Sequence, residues 1–473
     1  MSTTLSSSEA THDALPPALD ALALERRLRD TFDSERTRPA SWRKKQLRRL
    51  LDLVRENSEA LLDALREDLG RPAFEGWLAE IHYLEVEIEE ILKAVDGWMK
   101  PRKTSTPLVL QPGRAYVQPD PLGVVLIISP WNYPIQLCLA PLAAALAAGN
   151  CAVVKPSELS AASSRILADL LPRYLDSDAV AVVEGAVAET TALLEQRWDH
   201  ILFTGGERVG KVVMAAAARH LTPVTLELGG KSPVIVDHTA DIDVAARRIL
   251  WGKAFNSGQT CIAPDYILVE EAVREPLTLA LIETLGEFFG DDPQKSPDYG
   301  RMVSLAHYDR VVGLTEHGRV RHGGHWDRED RFIEITLLED VEPASPLMQE
   351  EIFGPLLPIL PIRDIEEAIR FVNARPKPLA LYVHSRDRAH QEAVLHRTSS
   401  GGLVMNDSGT HFVVSGLPFG GVGTSGMGAY HGRHGFDTFS HLKAVFEKPT
   451  FLDPALRYPP YTESKKRWAE RLM

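Results

Sequence analysis

The stretch GVVLIISPWNYPIQLCLAPLAAALAAGNCAVVK, residues 123–155, decides the fold. It opens on an apolar run, 123–129, and breaks at Pro130-Trp131-Asn132-Tyr133-Pro134. A helix rich in Leu and Ala follows over 134–148, stops at Gly149, and gives way to a second apolar run at 151–155. A strand that is apolar at every position, rather than every second one, is covered on both faces. Asp120 and Lys155 bracket 34 residues without a formal charge, long enough to raise a membrane helix. Pro121, Pro130, Pro134 and Pro141 interrupt the stretch, so a buried strand, a turn and a buried helix explain it better.

Downstream the alternation continues. Helices are expected over 160–171, 190–196 and 210–219, and strands over 180–184, 200–204 and 224–228. Short apolar strands alternating with helices make a parallel, doubly wound, Rossmann-like α/β sheet, which binds nucleotides at the carboxyl ends of its strands. A second α/β stretch begins near Pro233, with strands at 234–236, 266–269, 357–361 and 380–384 and helices at 244–255, 273–288 and 365–373. Upstream, residues 19–100 read as helical, with Trp77, Ile81, Leu84, Ile88 and Ile91 at three- and four-residue spacing. Residues 102–121, rich in Pro, Thr and Val, read as an extended arm or hairpin. Residues 416–435 hold eight glycines and are expected to be irregular, and residues 1–18, rich in Ser and Thr, read as a loose tail.

Charge and cysteine usage narrow the function. The 473-residue chain carries a formal net charge of -13, which disfavours nucleic acid as a partner. Its densest basic cluster, Arg43, Lys44, Lys45, Arg48 and Arg49, reads as a solvated helix face. Three cysteines, at 138, 151 and 261, are too few for a disulfide framework and fit a reducing cytoplasm. The first 25 residues contain no Lys or Arg and no sustained apolar run, so neither a targeting signal nor a membrane segment is expected.

Two nucleotide motifs compete for attention. Gly421, Gly423 and Gly426 spell G-x-G-x-x-G but follow Leu417-Pro418-Phe419 rather than a strand, so this is no Rossmann loop. The run 205–211 (GGERVGK) follows a strand and resembles a phosphate loop, but Val212 stands where a magnesium-binding Ser or Thr is needed. A helix opened by glycines beside a dinucleotide phosphate is still in keeping with it. His322 and His325, and His431 and His434, are spaced i, i+3 without Cys or clustered carboxylates, and read as surface loop histidines rather than metal ligands. Cys138 and Cys151 sit in apolar runs and read as packing. Cys261 follows Asn256-Ser257-Gly258-Gln259-Thr260, a polar loop. A lone Cys is more often a small core hydrophobe than a nucleophile, but this setting makes it a candidate. Glu227 ends an apolar strand, where a carboxylate is either ion-paired or a general base.

Seven segments together resemble the aldehyde dehydrogenase superfamily. They are Pro130-Trp131-Asn132-Tyr133-Pro134, Lys155-Pro156-Ser157-Glu158, Phe203-Thr204-Gly205-Gly206, Glu227-Leu228-Gly229-Gly230-Lys231, Gly258-Gln259-Thr260-Cys261, Glu351-Ile352-Phe353-Gly354-Pro355 and Leu417-Pro418-Phe419-Gly420-Gly421. Tyr133, the run 261–266 (CIAPDY) and the run 457–461 (RYPPY) resemble the class 3 branch, which holds fatty and aromatic aldehyde enzymes, and to which bacterial coniferyl aldehyde dehydrogenases are similar.

The resemblance implies NAD(P)-dependent oxidation of an aliphatic or aromatic aldehyde. It implies Cys261 as nucleophile, Asn132 and the Cys261 N–H on the oxyanion, and Glu227 activating the water that hydrolyses a thioester. It also implies cofactor contacts from Lys155, Glu158, Thr204, Gly205, Gly206, Gly210, Glu351 and Phe353, with NAD favoured by Glu158 and NADP an alternative. Gly206 departs from the Ser, Thr or Asn common in relatives. Tyr133 and Trp251 are candidate walls of the substrate pocket, with core packing a nearly equal reading for Trp251. By the same resemblance the chain divides into a cofactor domain (19–102 and 122–228), a catalytic domain (229–415), a β oligomerisation arm (103–121 and 416–440) of a homodimer, and a C-terminal segment (441–473). The competing functions are a cysteine esterase or acyltransferase using Cys261 and Glu227, a phosphotransferase on 205–211, and a non-catalytic relative.

Overall fold

A computed structural model describes residues 19–472. The tail expected at 1–18 lies outside the described residues. The two largest sheets are of the α/β kind. In the first, the strands run in the order Gly426–Met427, Val224–Glu227, His200–Thr204, Val124–Ile128, Cys151–Lys155, Val180–Val182, parallel except for the first. Val124–Ile128, Cys151–Lys155 and His200–Thr204 are buried at every position, which is why their sequences do not alternate. The chain leaves Val124–Ile128 first to one side and then to the other, so the topological switch lies at its carboxyl end, where Trp131 and Asn132 follow.

The helix Gln136–Ala148 is buried along its whole length. Pro141 lacks the N–H that would bond the Leu137 carbonyl, and the Ser129 hydroxyl donates to that carbonyl instead at 2.9 Å. At its other end Gly149 takes the left-handed conformation, and Arg43 donates to the Ala147 carbonyl. The cluster at 43–49 is therefore not simply a solvated face. Arg43 is buried, and Arg49 donates to the Tyr174 and Arg173 carbonyls that end the helix Ala161–Tyr174. Lys45 and Arg48 remain exposed. Unsatisfied carbonyls at two helix ends recruited the guanidinium groups.

The second sheet orders Arg319–His322, Thr336–Glu339, Leu356–Ile362, Tyr266–Glu270, Pro233–Val236, Ala380–His384, Gly402–Met405, parallel except for the first. The reading at 233–384 found four of these strands. It missed Arg319–His322, Thr336–Glu339 and Gly402–Met405, which lie among charged or glycine-rich segments. The helix expected to begin at 210 begins at Glu207.

A third, antiparallel sheet joins Arg102–Thr104, Arg114–Pro121 and Ser440–Glu447. The third strand of this sheet, Ser440–Glu447, follows the residues 416–440 that were read as part of an arm. The glycine-rich stretch is also more ordered than expected: Gly426–Met427 pairs with the strand ending at Glu227, and Gly432–Thr438 is a helix against Gln136–Ala148. His431, expected in a surface loop, is buried. Among the described residues no helix is long and apolar enough to cross a membrane.

Candidate active site

Cys261 sits between two cavities. One, of roughly 650 Å³, is lined by Asn132, Thr204, Gly205, Gly206, Glu227, Cys261, Glu351 and Phe353. The other, of roughly 430 Å³ and almost wholly apolar, is lined by Cys261 together with Tyr133, Leu137, Trp251, Phe255 and Ile262 among others. A side chain at such a junction can face two different molecules at once.

The loop that carries Cys261 is held in a costly conformation. Asn256 (φ 53°), Ser257 (φ 52°) and Gly258 (φ 74°) are consecutive left-handed residues. Three side chains hold them, Asn256 and Gln259 buried and Glu75 half-buried. Glu75 accepts from the Asn256 N–H at 2.9 Å. Gln259 donates to the Asn256 and Arg301 carbonyls and accepts from the Val303 N–H. Asn256 donates to the Asn132 and Gln259 carbonyls, both at 3.0 Å. Tyr133 is tied to the same loop through a 2.6 Å hydrogen bond between its hydroxyl and that of Thr260.

Asn132 is buried, and its side-chain amide donates one hydrogen bond, to the Gln259 carbonyl at 3.0 Å, leaving the second N–H free. The turn that places it depends on a buried ion pair. Glu80 accepts from the Ile135 and Gln136 N–H groups and pairs with Arg71, while Arg71 donates to the Asn132 carbonyl and lies over the Tyr133 ring. Glu80 belongs to a π-helical turn, Trp77–His82. Sequence reasoning missed Arg71, Glu75, Glu80, Asn256 and Gln259 as supports. Only the polarity of 256–260 signalled any of them, because the others reach the loop from distant helices.

Glu227 is buried, and neither carboxyl oxygen has a hydrogen-bond partner. Burial holds its pKa well above the usual carboxylate range. Burial also pushes the Cys261 thiol up to about 12, with Glu351 and Glu227 as neighbouring negative groups adding to it. Glu351 is raised to about 8, chiefly by burial and then by Asp265. Burial therefore favours the neutral form of all three acids, and Glu227 has no ion-pair partner. Cys138 and Cys151 are fully buried, with thiols raised to about 12, in keeping with packing roles.

The larger cavity suits a dinucleotide. The helix Glu207–Ala218 points its free N-terminal N–H groups toward it, after Gly205 and Gly206. A Cβ at Gly206 would meet open space, so the larger residue of relatives would fit, and the glycine widens the cavity. Thr204 presents a buried hydroxyl without a partner. A Cβ at Gly229 would overlap the Glu351 carboxylate, so that glycine lets Glu351 reach its place. Phe353 (φ 47°) packs edge-on against Trp131 at 5.3 Å between centroids. Lys155 ends its strand with its ammonium on the Pro156 carbonyl and 3.9 Å from Glu158, both outside the lining of this cavity. Gly210 is also outside it: buried one turn into the helix, it has its bare face against Leu228, a packing position. Trp251 is about one-third exposed, lines the smaller cavity and packs on Phe255.

A model of the aldehyde dehydrogenase family matches residues 20–445. The chain belongs to this family. It is 50% identical over 446 residues to aldehyde dehydrogenase family 3 member A2 of Mus musculus, covering 94% of this chain and 92% of that one. A substrate-bound Staphylococcus aureus AldH superposes with a TM-score of 0.93 at 44% identity, over 95% of this chain and 98% of that one. The P. syringae indole-3-acetaldehyde dehydrogenase AldA, solved with NAD+, superposes with a TM-score of 0.82 at 29% identity, over 91% and 89%. As an aldehyde dehydrogenase, the chain is an oxidoreductase with a nicotinamide cofactor.

Proposed function

We propose that this aldehyde dehydrogenase oxidises aldehydes with an apolar body to carboxylic acids, with Cys261 as nucleophile. The observation that carries the reading is the position of Cys261 at the junction of a polar, dinucleotide-sized cavity and an apolar one. A bound nicotinamide supplies the hydride acceptor. The Cys261 thiol gives up its proton to solvent as its sulfur adds to the aldehyde carbon, and the free N–H of Asn132 with the Cys261 main-chain N–H stabilises the oxyanion, each such donor being worth about 3–4 kcal/mol. Loss of hydride leaves a thioester on Cys261. Glu227, once ionised, takes a proton from water, which attacks the thioester and releases the acid and the thiol.

NAD is the favoured cofactor, since Glu158 opposes a 2′-phosphate beside the ribose. Glu351 and Phe353 hold the nicotinamide end, and Thr204, Gly205 and Gly206 the phosphates. The chain works as a homodimer in the cytoplasm, its arm sheet offering free edges at Arg102–Thr104 and Ser440–Glu447 to a second copy.

The deciding experiment mixes the protein with NAD or NADP and a panel of aliphatic and aromatic aldehydes, and follows reduced nicotinamide by absorbance. Turnover that disappears in Cys261→Ala is expected. Silence with every pair, or a fully active Cys261→Ala, would sink the reading.

A further inference from the structure

Five Lys and Arg side chains line the larger cavity, and three of them are already committed. Lys231 pairs with Asp265 and donates to the Leu347 and Glu350 carbonyls. Arg310 donates to the Glu351 and Ile352 carbonyls, and Arg375 to those of Phe371 and Pro343. The other two, Arg208 and Lys377, are exposed, and among the described residues neither has an ion-pair or hydrogen-bond partner. They stand in different halves of the molecule. Arg208 is in the first turn of Glu207–Ala218, the helix after the first sheet's strand His200–Thr204. Lys377 precedes the second sheet's strand Ala380–His384. Its backbone is flanked by Pro376 and Pro378, Pro378 lies against Gly230, and a Cβ at Gly423 would meet the Lys377 stem at 3.6 Å. The acids nearby are offset: Glu207 pairs with Lys211 at 2.6 Å, Glu350 lies 3.5 Å from Arg310, and burial favours the neutral forms of Glu227 and Glu351. The cavity therefore holds two uncommitted positive charges, in a chain whose net charge of -13 opposes an anion at long range.

We propose that Arg208 and Lys377 clamp the diphosphate of the nicotinamide dinucleotide, one from each half of the molecule. This rests on the reading that places the cofactor phosphates at Thr204, Gly205 and Gly206. Gly206, at the head of the helix, has no side chain to donate, and a Cβ there would meet open space, so no protein group fills that place. The helix itself offers main-chain N–H groups with only partial positive charge. A guanidinium two residues further on adds a full charge and paired donors that match phosphate oxygens, and the Lys377 ammonium adds a point charge. Because the two side chains are exposed, they reach a diphosphate without first breaking a contact within the protein. One bound diphosphate then ties the two halves together across the cavity.

The test measures binding rather than turnover: NADH is titrated into the full chain without aldehyde, and its affinity is read from the fluorescence of the bound cofactor. Arg208→Gln and Lys377→Gln each remove one charge from an exposed side chain without partners, so the fold should not change. At about 20 mM salt each should weaken NADH by about threefold or more, the size of one charge-assisted contact. At about 500 mM salt, where charges are screened beyond a few ångströms, the gap to the parent should shrink. A loss below about threefold in either variant at low salt, or a loss as large at high salt as at low, would overturn the clamp. Gly206→Trp separates this from the reading beneath it, because its bulk would occupy the open space at the helix head. If it blocks NADH while the two charge variants bind like the parent, the clamp falls and the phosphate site stands. If NADH binds Gly206→Trp as tightly as the parent, the phosphate site and the clamp fall together.

Discussion

Glu227 brings two carboxyl oxygens into a buried space and finds no partner for either. That arrangement costs stability and makes little sense as packing, whereas it suits a group that must change protonation state during turnover. Its position beside Cys261 and Glu351 concentrates three acids in one cavity, and burial is the first cause that favours the neutral form of each. Glu227→Gln replaces a neutral carboxyl by a neutral amide of the same shape, so the fold should tolerate it. Thioester hydrolysis should then slow by roughly 100-fold or more, in the range of a lost general base. A rapid-mixing experiment should still show a burst of reduced cofactor of about one equivalent per site, followed by a slow steady state. Unchanged steady-state turnover would remove Glu227 as the base.

At the scale of the element, the site depends on pieces that touch no substrate. The strand Val124–Ile128 delivers Asn132 to the switch point, but the turn at 130–134 takes its shape from Arg71 and Glu80, whose side chains are fully buried. Removing one partner strands the other charge: Arg71→Met is expected to destabilise the protein by ~3–5 kcal/mol. It should also lower kcat, since the Asn132 carbonyl loses one of its two donors and Tyr133 the cation above its ring. Urea denaturation read alongside turnover checks both. A variant as stable and as active as the parent would show that the pair is dispensable. The Ser129 hydroxyl on the Leu137 carbonyl is the same kind of device: a proline in a buried helix is tolerated because a neighbouring side chain replaces the missing donor.

For the whole molecule, the buried acids link stability to pH. Glu351 has a folded pKa of about 8 against about 4.5 unfolded, so the folded state keeps a proton that the unfolded state has lost. Its contribution is fully present below the unfolded pKa and is lost as pH rises through 8. Glu351→Gln removes that loss. Relative to the parent, the cofactor-free variant should therefore gain about 2 °C or more in Tm between about pH 5.5 and about pH 8.5. Calorimetry at the two pH values measures the difference, and a gap that does not grow with pH would contradict a Glu351 whose pKa is raised to about 8 in the folded state.

By itself the sequence determined that the molecule is built on parallel sheets, because strands buried on both faces must be apolar throughout, and 124–128, 151–155 and 200–204 are. It also singled out Cys261, through the contrast between its polar loop and the apolar runs holding the other two cysteines. Contacts between distant segments were beyond it. The strand Ser440–Glu447 has mostly exposed residues and takes its register from Arg114–Pro121, so no local periodicity announced it. Arg43 looked like a surface charge until a helix end some hundred residues away required a donor. His431 looked like a loop residue until Phe419 and Tyr83 closed around it. Tertiary structure alone decided these, because burial and hydrogen-bond partnership depend on what the rest of the chain brings alongside, while strand and helix patterns are written within a few neighbouring residues.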